Sequence, residues 1–282
     1  MTMLSINTNV GALQAASASY SVNKSMETSM HRLSTGKRIN SAADDAAGHQ
    51  IANRLTAEIQ GLKQAIRNAA DAQALMGTAE GAIEEIQLML LRMRELAVQS
   101  SNSTNSAADR ASLELESAQL DAEITRIANN TTYAGINLLD DSFSGAESVN
   151  TRTYQIGADS GQTIELSIPE LTTTAATISY SVGCSIATFT GAQTAITTLD
   201  GAISMVAAVR ANIASKMNRL DHTIANLDNV VTNISQAKGR IVDADFATET
   251  ANLARTQVLQ QASMAMLSQA NASKQNILSL FQ

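Results

Sequence analysis

Apolar residues recur at alternating intervals of three and four positions along two long stretches of this chain. In the first stretch every such position is apolar: Leu62, Ala65, Ala69, Ala72, Met76, Ala79, Ile83, Ile86, Leu90, Met93 and Ala97. In the second, all but Arg210 and Lys238 are apolar, the others being Ile196, Leu199, Ile203, Val206, Ile213, Met217, Leu220, Ile224, Leu227, Val231, Ile234 and Ile241. This repeat is the seam of a coiled coil, so we predict two long helices packed along these seams.

A shorter repeat follows the polar segment 100–106, and its positions are Leu113, Ser117, Leu120, Ile124 and Ile127. Asp109 stands where an acidic residue would cap or precede a helix. We therefore predict a third helix here. Three helices, two of them long, predict an elongated antiparallel helical bundle or coiled coil.

The hydrophobic period changes to two in the middle of the chain. Residues 153–157 and 163–168 alternate, and Gly161 lies in the segment that separates them. This pattern predicts a β-hairpin with Gly161 in the turn. Residues 172–195 are rich in Thr, Ser and Ala, and we interpret them as a short strand-and-loop excursion. The predicted fold class is therefore mainly α with a small β-hairpin region.

The two ends carry weaker repeats. In residues 4–35 the best stretch is Val22, Met26, Met30 and Leu33. In residues 250–282 the repeat is Leu259, Ala262, Met266, Ala270, Ser273, Ile277 and Leu280. Ordering the backbone costs roughly 1–2 kcal/mol per residue, so such weak seams are marginal alone. We expect the ends to be mobile until something covers them; pairing of the two ends within one monomer is the open alternative.

Composition and charge narrow the function. The 282 residues include no Trp and one Pro, Pro169, and because Pro costs about 3 kcal/mol in a helix interior its scarcity permits long helices. A net charge of −7 disfavours nucleic acid or an anionic membrane surface as the main partner. No run of 18 apolar residues exists, which predicts no membrane insertion. The first basic residue is Lys24, so we expect no cleavable signal peptide.

Residues that commonly carry chemistry form no recognisable pattern. His31, His49 and His222 lie far apart and lack the spacing of metal ligands. No glycine-rich phosphate loop is found. The single cysteine, Cys184, excludes an intramolecular disulfide and has no Cys–His arrangement around it. We therefore predict a protein that is not an enzyme, with no catalytic residue, metal site or cofactor.

Four segments resemble the matching segments of bacterial flagellins. They are Met3–Asn9, Arg32–Gly48 (RLSTGKRINSAADDAAG), Arg94–Ser100 and Ser263–Phe281. The resemblance covers residues 1–170 and 200–282 in the family's order and spacing. The chain departs from the family at Cys184 and in a middle shorter than the outer domains of many members, and both departures concern the outer surface.

The resemblance implies a structural subunit that polymerises into the extracellular helical filament of the bacterial flagellum for swimming motility. It also implies export in an unfolded state through the flagellar type III apparatus, with termini that fold on assembly. Residues 1–45 and 241–282 would form the inner coiled-coil domain that lines the channel. Residues 46–170 and 196–240 would form the three-helix bundle with the β-hairpin in the outer tube wall, and 171–195 a short surface-exposed excursion.

The resemblance also implies functional residues. The terminal helices would polymerise through Val22, Met26, Met30, Leu33, Leu259, Met266, Ile277, Leu278 and Leu280. The loop 35–48 is the hypothesised joint between the inner and outer domains, with Gly36, Lys37, Arg38, Asp44, Asp45 and Gly48. Its charged residues are candidates for ion pairs between subunits. Exposed ion pairs usually contribute under about 1 kcal/mol, and solvated linker residues are an equally good interpretation.

The implied partners are further copies of the chain, a flagellar export chaperone on the C-terminal region, and the filament cap and hook-junction proteins. In animals a flagellin-sensing Toll-like receptor is an implied partner that would contact Arg92, Leu96 and Glu116. Arg92 and Leu96 are four residues apart and share a helical face. Neither lies on the Leu62–Ala97 seam, so we predict that both are free to face another surface.

Two other kinds of protein share parts of this pattern. A hook–filament junction protein has the same terminal repeats and export route, although the segments RINSAADDAAG and QNILSLF favour the filament subunit. A coiled-coil type III effector or translocator would need a membrane-active apolar segment, and the sequence contains none. An enzyme is the weakest alternative.

Overall fold

The computed structural model describes residues 8–140, 151–171 and 185–279, with the backbone alone for 274–279. Its helices are α1 (Val10–Thr35), α2 (Ala46–Ser100), α3 (Ala107–Asn130), α4 (Phe189–Val242) and α5 (Phe246–Ser279). Its strands are β1 (Thr132–Tyr133), β2 (Ile136–Asn137), β3 (Thr151–Gln155) and β4 (Thr163–Ser167). The mainly helical fold class predicted from the sequence is confirmed.

The chain divides into two compact units. The terminal unit comprises Met1–Ala57 and Thr232–Gln282, and the central unit comprises Glu58–Val231. Helices α2 and α4 each contribute to both units. The division into inner and outer filament domains inferred from the resemblance has other boundaries and stays a prediction.

The core of the central unit is built on the predicted seams. All eleven seam positions from Leu62 to Ala97 are buried, because one apolar stripe of α2 faces the interior along its length. Helix α4 contributes the buried side chains of Leu199, Val206, Ile213, Leu220 and Leu227. Polar contacts Gln73–Asp221, Glu80–Arg210 and Arg94–Asp200 show that α2 and α4 run antiparallel. The two predicted seams of this unit are confirmed.

Helix α3 begins at a capping box. The hydroxyl of Ser106 accepts from the amide of Asp109, and the Asp109 carboxylate accepts from the amide of Ser106 at 2.9 Å. Asp109 is therefore the third helical residue rather than the cap itself. The hydrogen bonds from Ser106 hold the pKa of the Asp109 carboxyl below its usual value. Ser117, Ile124 and Ala128 are the buried residues of this helix.

The predicted hairpin is confirmed as the antiparallel pair β3–β4, with Thr151 opposite Ser167 and Gln155 opposite Thr163. Ile164 and Leu166 of β4 are buried, and their neighbours along the strand are exposed. Gly161 has φ of 86°, as its place in the turn requires. A second, two-residue hairpin, β1–β2, was not predicted; it turns at Ala134 and Gly135, both with positive φ.

The predicted excursion at 171–195 is wrong for residues 189–195, which belong to helix α4. The Thr188 hydroxyl accepts from the amide of Gly191 at 3.1 Å and starts the helix, and the buried Ala192 and Ala195 extend the seam upstream of Ile196. The amide of Ile186 donates to Glu114 at 2.6 Å. Residues 172–184 of the proposed excursion, which include Cys184, lie outside the described residues.

Among the described residues, one helix is long and apolar enough to span a membrane by length and composition. It is α4, with a window of mean hydropathy 1.2, of which 33% is buried inside the structure. A core helix passes the same test, and the buried positions of α4 follow the seam that packs with α2.

Candidate assembly surface

Helices α1 and α5 pair antiparallel within the terminal unit. Three side-chain contacts join them from one end of the pair to the other. Arg32 Nη1 donates to Glu249 Oε1 at 3.0 Å, Gln260 Nε2 donates to Asn23 Oδ1 at 2.8 Å, and Asn9 Nδ2 donates to the Ala270 carbonyl at 3.2 Å. The alternative in which the two ends pair within one monomer therefore describes this structure.

The buried side chains of this pair are polar. Ser29 is the buried residue of α1, and Glu249 and Thr256 are the buried residues of α5 up to residue 273. The half-buried positions beside them are mixed, with Ser19, Gln260 and Ser263 as polar examples and Val22, Met26, Leu33, Leu253 and Leu267 as apolar ones. Because a stable helix pair normally buries a continuous apolar stripe, this partly exposed seam supplies less hydrophobic stabilisation than the buried core of the central unit.

Many large apolar side chains of the same two helices are exposed. Their exposed fractions run from 45% to 73%, and they are Val10, Leu13, Tyr20, Met30, Phe246, Val258, Leu259, Met264 and Met266. Scattered exposed apolar residues are ordinary, but this set covers both helices of one pair. The terminal pair therefore buries polar side chains, half-buries only part of its apolar residues, and leaves a large apolar area exposed.

A groove runs between the two helices. Its α1 side is formed by the small residues Gly11, Ala15 and Ala18, and its α5 side by Leu259, Ala262 and Met266. Small residues on one wall permit the close approach of another helix, and Leu and Met on the other wall supply apolar area.

The predicted polymerisation residues fall into three groups. Val22, Met26 and Leu33 are half-buried in the pair. Met30, Leu259 and Met266 are exposed, because the pair encloses Ser29, Thr256 and Gln260 in their place. For Ile277 and Leu278 the backbone alone is described, and Leu280 lies outside the described residues. The contacts missed from the sequence are Arg32–Glu249 and Asn23–Gln260; the signal was a run of polar residues at helical spacing on both ends.

The proposed joint holds the end of α1 to the connection between α4 and α5. The amide of Arg38 donates to the Val242 carbonyl at 2.7 Å, and the amide of Ala244 donates to the Gly36 carbonyl at 3.0 Å. Gly36 ends α1 in the left-handed conformation with φ of 69°, which favours glycine. These bonds tie α1 to the start of α5 through the main chain.

The charged residues of the joint are mostly engaged within the chain. Asp44 accepts from the amides of Asn40 and Ser41 at 3.0 and 2.8 Å, and these bonds lower the pKa of its carboxyl. Asp45 accepts from the amide of Gly48 at 2.8 Å and lies 3.9 Å from Arg38 Nη2. Lys37 is exposed. A role for these charges between subunits stays a prediction.

The residues implied in receptor contact lie in the central unit, and they differ in their exposure to solvent. Arg92 is exposed and donates to Glu116 of α3 at 2.9 Å and to Glu95 at 3.0 Å, and these bonds raise the pKa of its guanidinium. Leu96, predicted to be free, is fully buried, and that prediction is wrong. The buried stripe of α2 is wider than the heptad seam, and it also includes Leu75. Leu91 is the exposed apolar residue beside Arg92.

Two protein-family models match this chain. Residues 6–144 match the bacterial flagellin N-terminal helical region, and residues 196–281 match the bacterial flagellin C-terminal helical region. A flagellin of Halalkalibacterium halodurans is 42% identical over 278 residues, which cover 98% of this chain and 99% of that protein.

Two solved structures are similar. The crystal structure of Bacillus cereus flagellin is 36% identical in sequence and has a TM-score of 0.50. The match covers 61% of this chain and 94% of the chain in that crystal structure. A flagellar hook-associated protein from Vibrio parahaemolyticus has a TM-score of 0.60 and covers 71% of this chain and 100% of its own, at 16% identity. At that identity the second likeness concerns the fold alone.

Proposed function

This chain belongs to the bacterial flagellin family and is a structural subunit of the flagellar filament, and we propose that its terminal helices complete their folding only when neighbouring copies cover them. The observation that carries the proposal is the apolar surface that the α1–α5 pair leaves exposed. Many of its large apolar side chains, including Tyr20 and Met266, are exposed, and its buried residues are Ser29, Glu249 and Thr256.

The two units differ in what offsets the entropy cost of folding. Ordering α1 and α5 costs roughly 1–2 kcal/mol of backbone entropy per residue. In the central unit the continuous apolar core from Ala69 to Leu220 offsets that term. In the terminal pair, burial of the exposed apolar side chains would offset the same entropy cost. That burial requires other copies of the chain. Coupling folding to assembly in this way keeps free subunits from aggregating before they reach a growing filament.

Amide hydrogen exchange on the monomer and on the filament tests the proposal. We expect the amides of α1 and α5 to exchange rapidly in the monomer and slowly in the filament. The amides of Ile83 and Ile86, in the core of α2, serve as the internal control and should be protected in both states. Strong protection of residues 246–273 in the monomer would count against it.

A chain whose ends are unfolded when free is also suited to passage through a narrow export channel. We include in the proposal unfolded export through the flagellar type III apparatus to an extracellular filament. Residues 1–45 and 241–282 would line the filament channel, and residues 46–170 and 196–240 would form the outer wall. An export chaperone would cover the C-terminal region before assembly, which fits the outward apolar residues of α5 such as Val258 and Met264.

The remaining proposed partners are the filament cap, the hook-junction proteins and an animal flagellin-sensing receptor. Receptor contact is supported by the exposed Arg92, paired with Glu116, and the exposed Leu91 beside it. Leu96 would act by packing α2 rather than by touching the receptor. A role as a hook–filament junction protein is not favoured, since the relative of that class shares the fold at 16% identity while a flagellin shares 42%.

A further inference from the structure

The Arg32–Glu249 ion pair lies inside the terminal pair, where the other enclosed side chains are small or uncharged. Glu249 is 6% exposed, and Arg32 Nη1 donates to its Oε1 at 3.0 Å. Within the part of the chain that the structure describes, Arg32 Nε and Glu249 Oε2 are buried and make no hydrogen bond. The Arg32 side chain is 29% exposed and the Glu249 side chain is 8% exposed. Such a pair contributes little net stability, but breaking or misaligning it leaves the buried Glu249 carboxylate without its partner, which is unfavourable.

The position of this pair along the helices matters. Arg32 is one helical turn before Gly36, and Glu249 is a little more than one turn after Ala244. Gly36 and Ala244 are joined by a main-chain hydrogen bond at 3.0 Å. Arg32 and Glu249 are therefore held close together by the joint, at a high effective concentration relative to Glu249 of any other copy.

We propose that the Arg32–Glu249 pair sets the register of the terminal helices and selects, for each α1, the α5 of its own chain. Pairing begins at the joint, is fixed in register by this contact, and extends outward through Asn23–Gln260 to Asn9–Ala270. The inference rests on the proposed function, because register and choice of partner matter where many identical helices assemble side by side.

Apolar contacts alone do not fix the register or the partner of these helices. The outward faces of α1 and α5 carry Leu, Met, Tyr and Val, whose packing is non-directional and tolerates sliding. A single buried polar group at a helix interface is the best attested device for fixing register, since every other alignment leaves it unpaired. Arg32–Glu249 is the charged contact of this kind in the described part of the pair.

A disulfide at the far end of the pair reports both register and partner. A Cβ built on Gly11 lies 3.9 Å from the Ala270 Cβ, which is the separation a disulfide requires. The variant Gly11→Cys/Ala270→Cys is made in a Cys184→Ser background, assembled into filaments and oxidised. We expect an intrachain disulfide, read on a non-reducing gel as monomer of altered mobility. A ladder of covalently linked chains would show that α1 pairs with the α5 of another chain, and it would overturn the proposal.

The same reporter tests the ion pair. Arg32→Glu or Glu249→Arg alone places like charges in the seam, and we expect the intrachain disulfide to form about tenfold more slowly, or filaments to be lost. The double exchange Arg32→Glu/Glu249→Arg should restore both. Arg255→Glu, which makes the same charge change on an exposed residue of α5, is the control and should have no effect.

The outcomes separate the two claims. Unchanged cross-linking in both single variants would overturn the inference, and so would failure of the double exchange to restore it. Strong hydrogen-exchange protection of residues 246–273 in the monomer would overturn the proposed function, whereas the cross-linking results decide the inference about register and partner.

Discussion

The guanidinium of Arg210 on α4 donates to the carboxylate of Glu80 on α2, with 2.8 Å between Nε and Oε1. Arg210 occupies a heptad position of the α4 seam, where the neighbouring positions are apolar. Its Nη1 also donates to Gln87 Oε1 at 2.7 Å, and the Arg210 side chain is 29% exposed. A polar residue within an apolar seam favours one alignment of the two helices over its neighbours.

Replacing Arg210 by Ala should destabilise the central unit. The change leaves Glu80 and Gln87 without their donor and removes the packed stem of the arginine, so we expect a loss of about 1–2 kcal/mol in the free energy of unfolding. Urea denaturation of the monomer, followed by circular dichroism, measures it.

Arg126→Ala is the matched control, since Arg126 pairs with Glu123 on the surface of a single helix. We expect its denaturation midpoint to stay near that of the parent. Equal effects of the two substitutions would contradict the assignment of a bundle-aligning role to Arg210.

Gly48→Ala should disturb the joint. A Cβ at this position would clash with Asp45 Oδ2 and lie 2.7 Å from Ile39 Cδ1, so the Asp45 carboxylate or the buried Ile39 must shift. We expect filaments that depolymerise at a lower temperature, observed by light scattering on heating.

Gly77→Ala provides the comparison within the same helix. A Cβ on Gly77 meets no atom within 4 Å, and Ala favours the helix by about 0.5–1 kcal/mol over Gly. This variant should therefore raise the melting temperature of the monomer. A filament of normal thermal stability in Gly48→Ala would show that the joint accommodates the methyl group.

Alanine substitutions at Leu96 and Leu91 should distinguish a role in core packing from a role in receptor recognition. Leu96 is fully buried and Leu91 is 41% exposed. We expect Leu96→Ala to lower the free energy of unfolding by about 2–5 kcal/mol, and Leu91→Ala to change it by less than about 0.5 kcal/mol. Receptor activation measured on both variants then locates the recognition surface: loss in Leu91→Ala at unchanged stability supports it, and full activity there contradicts it.

The sequence predicted the elements whose stability comes from large apolar side chains. The α2 seam was readable because every position from Leu62 to Ala97 is apolar and the helix has no competing pattern. The register of the terminal pair was not readable, because its enclosed residues, Ser29 and Thr256 among them, have the composition of an exposed surface. Leu96 was misplaced since heptad counting assigns one stripe, whereas α2 buries a wider face.

The start of α4 and the β1–β2 hairpin were also missed, because neither depends on a repeat of large apolar side chains. The start of α4 was hidden because Thr188, which accepts from the Gly191 amide, lies among many other threonines. The β1–β2 hairpin is two residues long on each side, too short for a period of two to be visible. Its signal was Ala134–Gly135 between Tyr133 and Ile136, a turn dipeptide that periodicity does not detect.

Met266→Asp should abolish filaments without weakening the monomer. Met266 is 65% exposed and borders the groove between α1 and α5, so a carboxylate there is solvated in the free subunit and leaves its melting temperature unchanged. In a filament that covers this groove, the same carboxylate would be buried without a partner, which is strongly unfavourable. Sedimentation and melting curves measure the two effects. Gln261→Asp, an equal charge change at an exposed polar position, should still polymerise. Normal filaments from Met266→Asp would mean that the groove stays open to water after assembly.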